Sequence, residues 1–194
     1  IRLKGPLDAG ILEQSLTEVI RRHESLRTVF SMENEEPVQV ILPEQKLTII
    51  PIDLGALSRD EQESTVLRRL KEEAQTPFDL QQGPLLRVIL LQLSMQEHVL
   101  LYNMHHIISD AWSMGLFIKE LSIFYAVFSR GEVSLLPKPA LQYGDYAVWQ
   151  RQRLKGETLE KQLSYWRQLL GGELPILELP TDRQRPAVSS YQGG

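Results

Sequence analysis

The 194-residue sequence contains no cysteine. Disulfide bridges and metal sites built from thiolates are therefore excluded. Because persistent disulfides belong to oxidising compartments, a cysteine-free chain fits a reducing one, and we expect a soluble, cytoplasmic protein. Hydrophobic residues make up 42% and charged residues 24% of the sequence. These proportions are ordinary for a globular domain, and the length is sufficient for one sizeable core.

Long apolar runs and basic clusters are also lacking. No apolar run approaches the length of a membrane span, and the first residues show no signal-peptide pattern. The net charge is −4, and basic residues cluster only in pairs such as Arg21-Arg22. A surface for nucleic acid typically combines many basic side chains with aromatic ones. We therefore expect neither nucleic acid nor a membrane among the partners.

What the sequence does contain is an interspersed series of short apolar runs and amphipathic segments. Hydrophobic spacing and turn signals predict strands at 1–4, 26–30, 38–42, 47–52, 85–93 and 97–103, and helices from Asp8 onwards and at 58–74, 114–130, 143–155 and 158–170. Ser58 and Glu61 form an S-x-x-E capping box at the start of one helix. Short connections predict hairpins within 26–42 and 85–103. The predicted fold class is α+β, a mixed α/β sandwich in which helices cover a largely antiparallel or mixed sheet.

The segment from Met104 to Ser113 reads Met-His-His-Ile-Ile-Ser-Asp-Ala-Trp-Ser and lies between a predicted strand and a predicted helix. Adjacent residues on a strand point to opposite faces, so His105 and His106 cannot both line one pocket unless the strand has ended. We expect one of them to be functional and the other structural, with Asp110 near enough to orient a histidine or the strand end. The alternative is that the histidines are satisfied core side chains.

The same three side chains, those of His105, His106 and Asp110, are also potential metal ligands. Neighbouring histidines on a strand diverge, and no H-E-x-x-H or similar spacing supplies a third ligand. We therefore predict no metal site.

The histidine segment, with a small residue and Trp-Ser after its aspartate, resembles the active-site motif of condensation domains of nonribosomal peptide synthetases. These domains belong with the chloramphenicol acetyltransferase-like acyltransferases. Three further segments resemble motifs of the same family in the same order: Arg22 to Phe30 (RHESLRTVF), Tyr143 to Trp149 (YGDYAVW) and Leu179 to Pro186 (LPTDRQRP). Four matches in order across nearly the whole chain identify it as a member of this family.

The resemblance implies that the chain is part of a larger synthetase. Residues 1–175 correspond to the N-terminal lobe of a V-shaped pair of lobes, without its first strand and helix. Residues 176–194 correspond to the segment that crosses towards the missing C-terminal lobe. The expected partners are upstream and downstream peptidyl carrier domains, the C-terminal lobe and an adjoining adenylation domain. No cofactor is expected on this chain, since the substrates arrive as phosphopantetheine thioesters on the carrier domains.

The reaction implied is attack by the amine of an acceptor aminoacyl group on the thioester carbonyl of a donor acyl or peptidyl group. The family's catalytic histidine is the second of the pair, which is His106 here. Its imidazole has a reference pKa near 6.5, and an α-amino group has one of about 7.7 to 8.0, so part of the amine is already neutral. We expect His106 to take a proton as the amine attacks, or to hydrogen-bond the tetrahedral intermediate, and the sequence leaves both roles open.

The other motif residues are expected to be structural. His105 is predicted to pack or to hydrogen-bond. Asp110 suggests a His-Asp dyad, but the resemblance implies an anchor ion-paired with an arginine, for which Arg27 is the candidate. Ala111 replaces the family's usual Gly, at a cost of roughly 1 to 2 kcal/mol if that position needs a left-handed backbone. Trp112 is predicted to pack and Ser113 to cap the following helix.

The remaining aromatic and histidine positions have simpler interpretations. Trp149 and Trp166 are predicted to lie in the core, and His23 and His98 to be structural. The helix at 114–130 is predicted to bury Leu116 together with its phenylalanines. Two alternatives to the condensation enzyme remain: a CoA-dependent acyltransferase of the same superfamily, and a non-catalytic scaffold or recruitment domain.

Overall fold

The computed structural model describes residues 1–44, 46–134, 136–173, 175, 180 and 188. The chain divides into two compact units, Ile1–Trp149 and Gln150–Gly194. In chain order the elements are β1 (Arg2–Lys4), α1 (Ala9–Arg22), β2 (Thr28–Glu33), β3 (Glu36–Ile41), β4 (Ile52–Asp53), α2 (Arg59–Gln75), β5 (Leu86–Ser94), β6 (Glu97–Met104), α3 (Ala111–Phe128), α4 (Tyr143–Arg153) and α5 (Gly156–Leu170). A 3-10 turn, Glu24–Arg27, joins α1 to β2. This is the predicted α+β class.

A four-stranded sheet in the order β1-β6-β5-β4 forms the centre of the first unit. β5 and β6 are antiparallel and pair from Leu86–Met104 to Ser94–Glu97 around a tight turn, which confirms the predicted hairpin. β4 pairs with β5 in the parallel direction, so the sheet is mixed. The strand predicted at 47–52 was placed wrongly, because regular pairing is limited to Ile52–Asp53. An apolar run reports burial, but pairing also needs a partner strand in register.

Helices cover both faces of this sheet. On one face, Leu86, Leu90 and Leu100 pack against the buried side chains of α1 and α3. On the other face, Leu91, Leu93, Val99 and Leu101 pack with Val66 of α2 and with Leu54. Alternate residues of a strand point to opposite faces. The nearly continuous apolar sequence of β5 is therefore explained by the two cores that this strand serves.

α3 contributes Phe117, Leu121 and Phe124 to the larger of these cores. It is also the one helix in the described part of the chain that is long and apolar enough to cross a membrane by length and composition. Its packing on the sheet and α1 accounts for that apolar character. The prediction that Leu116 is buried was wrong, since its side chain is 40% exposed.

The three tryptophans are not in the core. Trp149 and Trp166 are each 53% exposed, so the prediction that they lie in the core was wrong for both, and Trp112, which was predicted to pack, is 87% exposed. Trp112 lies in the first turn of α3, whereas the buried residues of that helix begin at Phe117. Helical spacing identifies an apolar face, but it carries no information on what covers that face.

The second unit contains α5, which begins at Gly156 and presents Tyr165, Trp166, Leu169 and Leu170 at the surface. The boundary predicted at residue 175 stays a prediction. The crossing segment predicted at 176–194 lies outside the described residues, apart from positions 180 and 188.

A second sheet is the hairpin of β2 and β3, paired from Thr28–Ile41 to Glu33–Glu36. Its two turn residues, Asn34 and Glu35, have φ values of 50° and 65°. Two positive φ values suit the tight turns whose twist matches that of the flanking strands. The acidic cluster at 33–36 is therefore a turn, as the sequence predicts.

A buried ionic cluster ties α1 to α3. Arg22 donates from Nε to Glu120 Oε2 at 3.1 Å and from Nη2 to Glu120 Oε1 at 3.3 Å. Arg22 also donates to the Pro137 carbonyl at 2.9 Å. His23 Nε2 lies 2.8 Å from Glu120 Oε2. Burial raises the pKa of the Glu120 carboxyl, but the hydrogen bonds from Arg22 and His23 outweigh it and leave the pKa below its ordinary value.

We expect Glu120→Gln to lower the free energy of unfolding by about 3 to 5 kcal/mol, because it leaves the Arg22 charge buried without a counterion. The double variant Arg22→Met/Glu120→Leu should lose less than Glu120→Gln, since it strands no charge. Urea denaturation followed by circular dichroism measures both effects. Glu132→Gln, which breaks the exposed pair with Arg130, is the control and should leave the midpoint unchanged. Equal midpoints for Glu120→Gln and Glu132→Gln would contradict the prediction.

Candidate active site

The histidine pair lies where β6 gives way to a turn. His105 N–H still continues the ladder by donating to the Leu85 carbonyl at 3.0 Å. The His105 carbonyl then accepts from the Ile108 N–H at 3.1 Å and from Ser109 Oγ at 3.2 Å. These two bonds close a turn immediately after the strand. His106 is therefore the first residue beyond the ladder, and its side chain is free of the strand's alternation.

His106 is exposed and lines a cavity of about 240 Å³. The turn after α1 and the β2–β3 hairpin contribute Ser25, Thr28, Phe30 and Gln39, the loop after β6 contributes residues 107–110, and Ser113 and Tyr143 complete the wall. Among the described residues, no side chain or backbone group hydrogen-bonds the imidazole of His106. The ring is therefore available to a ligand in the cavity.

His105 points elsewhere. Its Nδ1 accepts a hydrogen bond from the Ile107 N–H at 3.0 Å. Its ring meets the ring of Phe78 edge to face, with centroids 5.8 Å apart and planes at 90°. An Nδ1 that accepts this bond has no proton, so the neutral ring carries its proton on Nε2. His105 thus stabilises the turn that exposes His106.

Asp110 is the cap of α3. Its Oδ1 accepts from the Ser113 N–H at 2.8 Å, and its own N–H donates to Ser113 Oγ at 2.7 Å. The helix begins at Ala111, so the prediction that Ser113 is the N-cap was wrong: Asp110 takes that place and Ser113 completes the capping box. The hydrogen bond from the Ser113 backbone lowers the pKa of the Asp110 carboxyl, with smaller contributions from the Ser113 side chain and the nearby His106.

The predicted ion pair between Arg27 and Asp110 is not formed. Arg27 donates from Nη1 to the Leu42 carbonyl at 2.6 Å and pairs with Glu24 at 3.3 Å. The carboxylate of Asp110 is already engaged by the first turn of α3. Arg27 instead links the 3-10 turn to the end of the β2–β3 hairpin by these two contacts. In the described part of the chain, the buried Nε of Arg27 has no hydrogen-bond partner.

Ala111 needs no unusual backbone. It is the first residue of α3, and the described non-glycine residues with positive φ are Asn34 and Glu35. The cost that a left-handed conformation would impose on an alanine therefore does not arise here.

The sequence did not reveal the hairpin wall of the cavity. Thr28 and Phe30 lie on one face of β2, and Gln39 is paired with Phe30 across the hairpin. Period-two alternation and the hairpin register place these residues on a shared face, but only the tertiary structure brings that face to His106. Among the described residues, no group of three or more His, Asp or Glu side chains is arranged to hold a metal ion.

We expect Asp110→Ala to loosen the first turn of α3, because the Ser113 N–H loses its acceptor. Hydrogen exchange at Ser113 should become faster, whereas Asp110→Ser, which restores a capping oxygen, should keep most of the protection. The folded pKa of Asp110 is lowered, so its stabilisation is present above about pH 3.9 and is lost as the pH falls through the folded pKa. Asp110→Ala should lack that part of the acid sensitivity, and unchanged exchange at Ser113 would contradict the assignment.

This chain has a mixed sheet covered by helices, with a histidine just beyond a strand end that faces a cavity. Its fold is that of the chloramphenicol acetyltransferase-like proteins. The family profile described as "Condensation domain" matches residues 1–194, and the chain belongs to that family. The family resemblance found in the sequence is thereby confirmed.

The chain is also similar to curated relatives and to solved structures. The chain is 47% identical over 193 residues to a linear gramicidin synthase protein of Brevibacillus parabrevis, covering 100% of this chain and 2% of that protein. It is 34% identical to the X-domain solved in complex with OxyB from teicoplanin biosynthesis, with a TM-score of 0.83 over 96% of this chain and 40% of that one. The epimerization domain from the third module of tyrocidine synthetase B shares the fold at 22% identity, with a TM-score of 0.77 over 95% of this chain and 42% of that one.

Proposed function

We propose that this chain is the part of a condensation domain that supplies the active-site histidine for amide bond formation. A donor acyl or peptidyl thioester would be joined to the amine of an acceptor aminoacyl group. The observation that carries the proposal is the position of His106, whose exposed imidazole faces a cavity of about 240 Å³ and has no hydrogen-bond partner among the described residues. Membership of the condensation family supports the same assignment.

In the proposed step, the amine nitrogen forms a bond to the thioester carbonyl carbon, and the carbonyl oxygen becomes an oxyanion. His106 takes one proton from the attacking nitrogen. The oxyanion then re-forms the carbonyl, the C–S bond breaks, and the departing thiolate receives the proton from His106. Much of the amine is neutral near pH 7.7 to 8.0, so His106 needs to take a proton only as the amine attacks. Hydrogen bonding of His106 to the tetrahedral intermediate is compatible with the same position.

The proposal includes the partners of the reaction. Upstream and downstream peptidyl carrier domains would deliver both substrates on phosphopantetheine arms, and this chain would hold no cofactor of its own. The C-terminal lobe and an adenylation domain would belong to the same synthetase. The match to a small part of a much longer synthetase supports this arrangement. The cytoplasmic location stays a prediction.

A recruitment role is a second candidate. The X-domain that is 34% identical to this chain was solved in complex with OxyB, so a relative of this kind binds a partner protein. The indole of Trp112, 87% exposed beside the histidine turn, is a large apolar surface of the kind that such contacts use. In a recruitment role, His106 would not be needed.

Amide formation in the intact parent synthetase separates the two candidates. With donor-loaded and acceptor-loaded carrier domains, we expect the wild type to give a condensed product detectable by mass spectrometry. His106→Ala should reduce the rate by roughly 10² to 10⁴, the usual contribution of a general base or acid. His105→Ala and Ile107→Val, run in parallel, test the neighbouring positions, and Ile107→Val should remain active.

Hydrogen exchange on β5 and β6 should be unchanged in His106→Ala, so that lost activity is not lost folding. If the wild type gives no product under any loading, or if His106→Ala forms product at the wild-type rate, the catalytic proposal fails. The recruitment role is then favoured.

A further inference from the structure

The hairpin of β2 and β3 forms one wall of the His106 cavity, and the proposed reaction gives the residues of this wall no role. The Phe30 N–H donates to the Leu80 carbonyl at 2.7 Å, on the side away from β3. The opposed residues Phe30 and Gln39 are therefore a non-hydrogen-bonded pair, in which cross-strand side chains are closest together. Both side chains line the cavity, so an aromatic ring and a primary amide lie side by side in it.

Several polar side chains of the cavity wall already have hydrogen-bond partners, whereas Gln39 has none among the described residues. The Thr28 hydroxyl donates to the Glu24 carbonyl, and the Ser109 hydroxyl donates to the His105 backbone carbonyl. Asp110 and Ser113 hydrogen-bond each other in the capping box of α3. Within the described residues, the Gln39 side chain has no hydrogen-bond partner and is exposed to the cavity.

A glutamine side chain offers one acceptor oxygen and two donor hydrogens. A secondary amide offers one N–H and one carbonyl, which point to opposite sides of a trans amide, so the glutamine pairs with one of them and its oxygen can accept from the N–H. The carbonyl that reacts beside His106 determines which amide comes within reach. In a peptidyl or N-acyl donor, a single carbon separates the reacting carbonyl from the nearest amide nitrogen. In the pantetheine arm, a sulfur and two carbons intervene.

We propose that Gln39 recognises the secondary amide of the donor acyl group next to the reacting thioester, while the Phe30 ring packs against the adjoining donor side chain. Gln39 would thus select peptidyl and N-acyl donors over donors that lack this N–H. The inference rests on the proposed function and deepens it by naming the donor chemistry that the cavity takes.

The test compares two donors loaded on the upstream carrier domain of the intact synthetase. One is an N-acyl-aminoacyl thioester, and the other is its ester analogue, in which an oxygen replaces the amide N–H. We expect the wild type to prefer the amide donor in kcat/KM by roughly threefold to tenfold, the usual worth of one net hydrogen bond. Gln39→Leu should reduce this ratio to about one.

Two further variants make the result specific to hydrogen bonding. Gln39→Glu keeps an acceptor for the donor N–H, so it should retain the preference for the amide donor. Val40→Thr changes the neighbouring residue, whose side chain is on the opposite face of the hairpin, and should leave the ratio unchanged. A merely structural contribution of Gln39 would lower the rates with both donors without changing their ratio.

The outcomes are distinguishable from failure of the proposed function. Absence of product from the wild type with either donor refutes the condensation activity itself. Product without a preference, or a preference that persists in Gln39→Leu, overturns the inference alone. A pantetheine arm whose nearest amide is replaced by an ester is tested in the same way. If Gln39→Leu abolishes discrimination only for that arm, the assignment to the donor acyl group is overturned.

Discussion

The buried contact between Arg22 and Glu120 is the constraint on which the rest of the structure depends. Glu120 lies within the core-facing stripe of α3, where a carboxylate without a partner would be strongly unfavourable. Arg22 and His23 satisfy it from the end of α1, and Arg22 also binds the connector that precedes α4. Because a charge pair of this kind tolerates little displacement, it fixes the position at which α3 lies along α1.

That fixed position determines the geometry of the cavity. The start of α3 carries the cap after the histidine turn, and the end of α1 leads through the 3-10 turn into β2. Both walls of the cavity therefore extend from the two helices that Glu120 and Arg22 join. Gln142 reinforces the arrangement, since its amide donates to the Arg22 carbonyl and accepts from the Glu24 N–H. The site is built on packed elements, and His106 reaches it from the turn that follows β6.

Local hydrogen-bonding signals in the sequence predicted structure well. The capping box of Ser58 and Glu61 and the hairpin of β5 and β6 are confirmed, because each is decided within a few residues. Choices between distant partners were predicted poorly. Arg27 has a carboxylate three residues away and a backbone carbonyl across the hairpin, so it does not pair with Asp110. The predicted burial of Trp166 was also wrong, since amphipathic spacing identifies an apolar face but not what packs against it.

The use of the Asp110 carboxylate bears on the chemistry open to His106. In a His-Asp dyad, the carboxylate hydrogen-bonds the imidazole and raises its basicity. Here the carboxylate accepts a hydrogen bond from the Ser113 N–H, and among the described residues the histidine that contacts a carboxylate is His23, whose partner Glu120 belongs to the core cluster. Among the described residues, Asp110 therefore holds the first turn of α3 and does not orient the His106 ring. The ring is placed at the cavity by the turn that the His105 carbonyl closes.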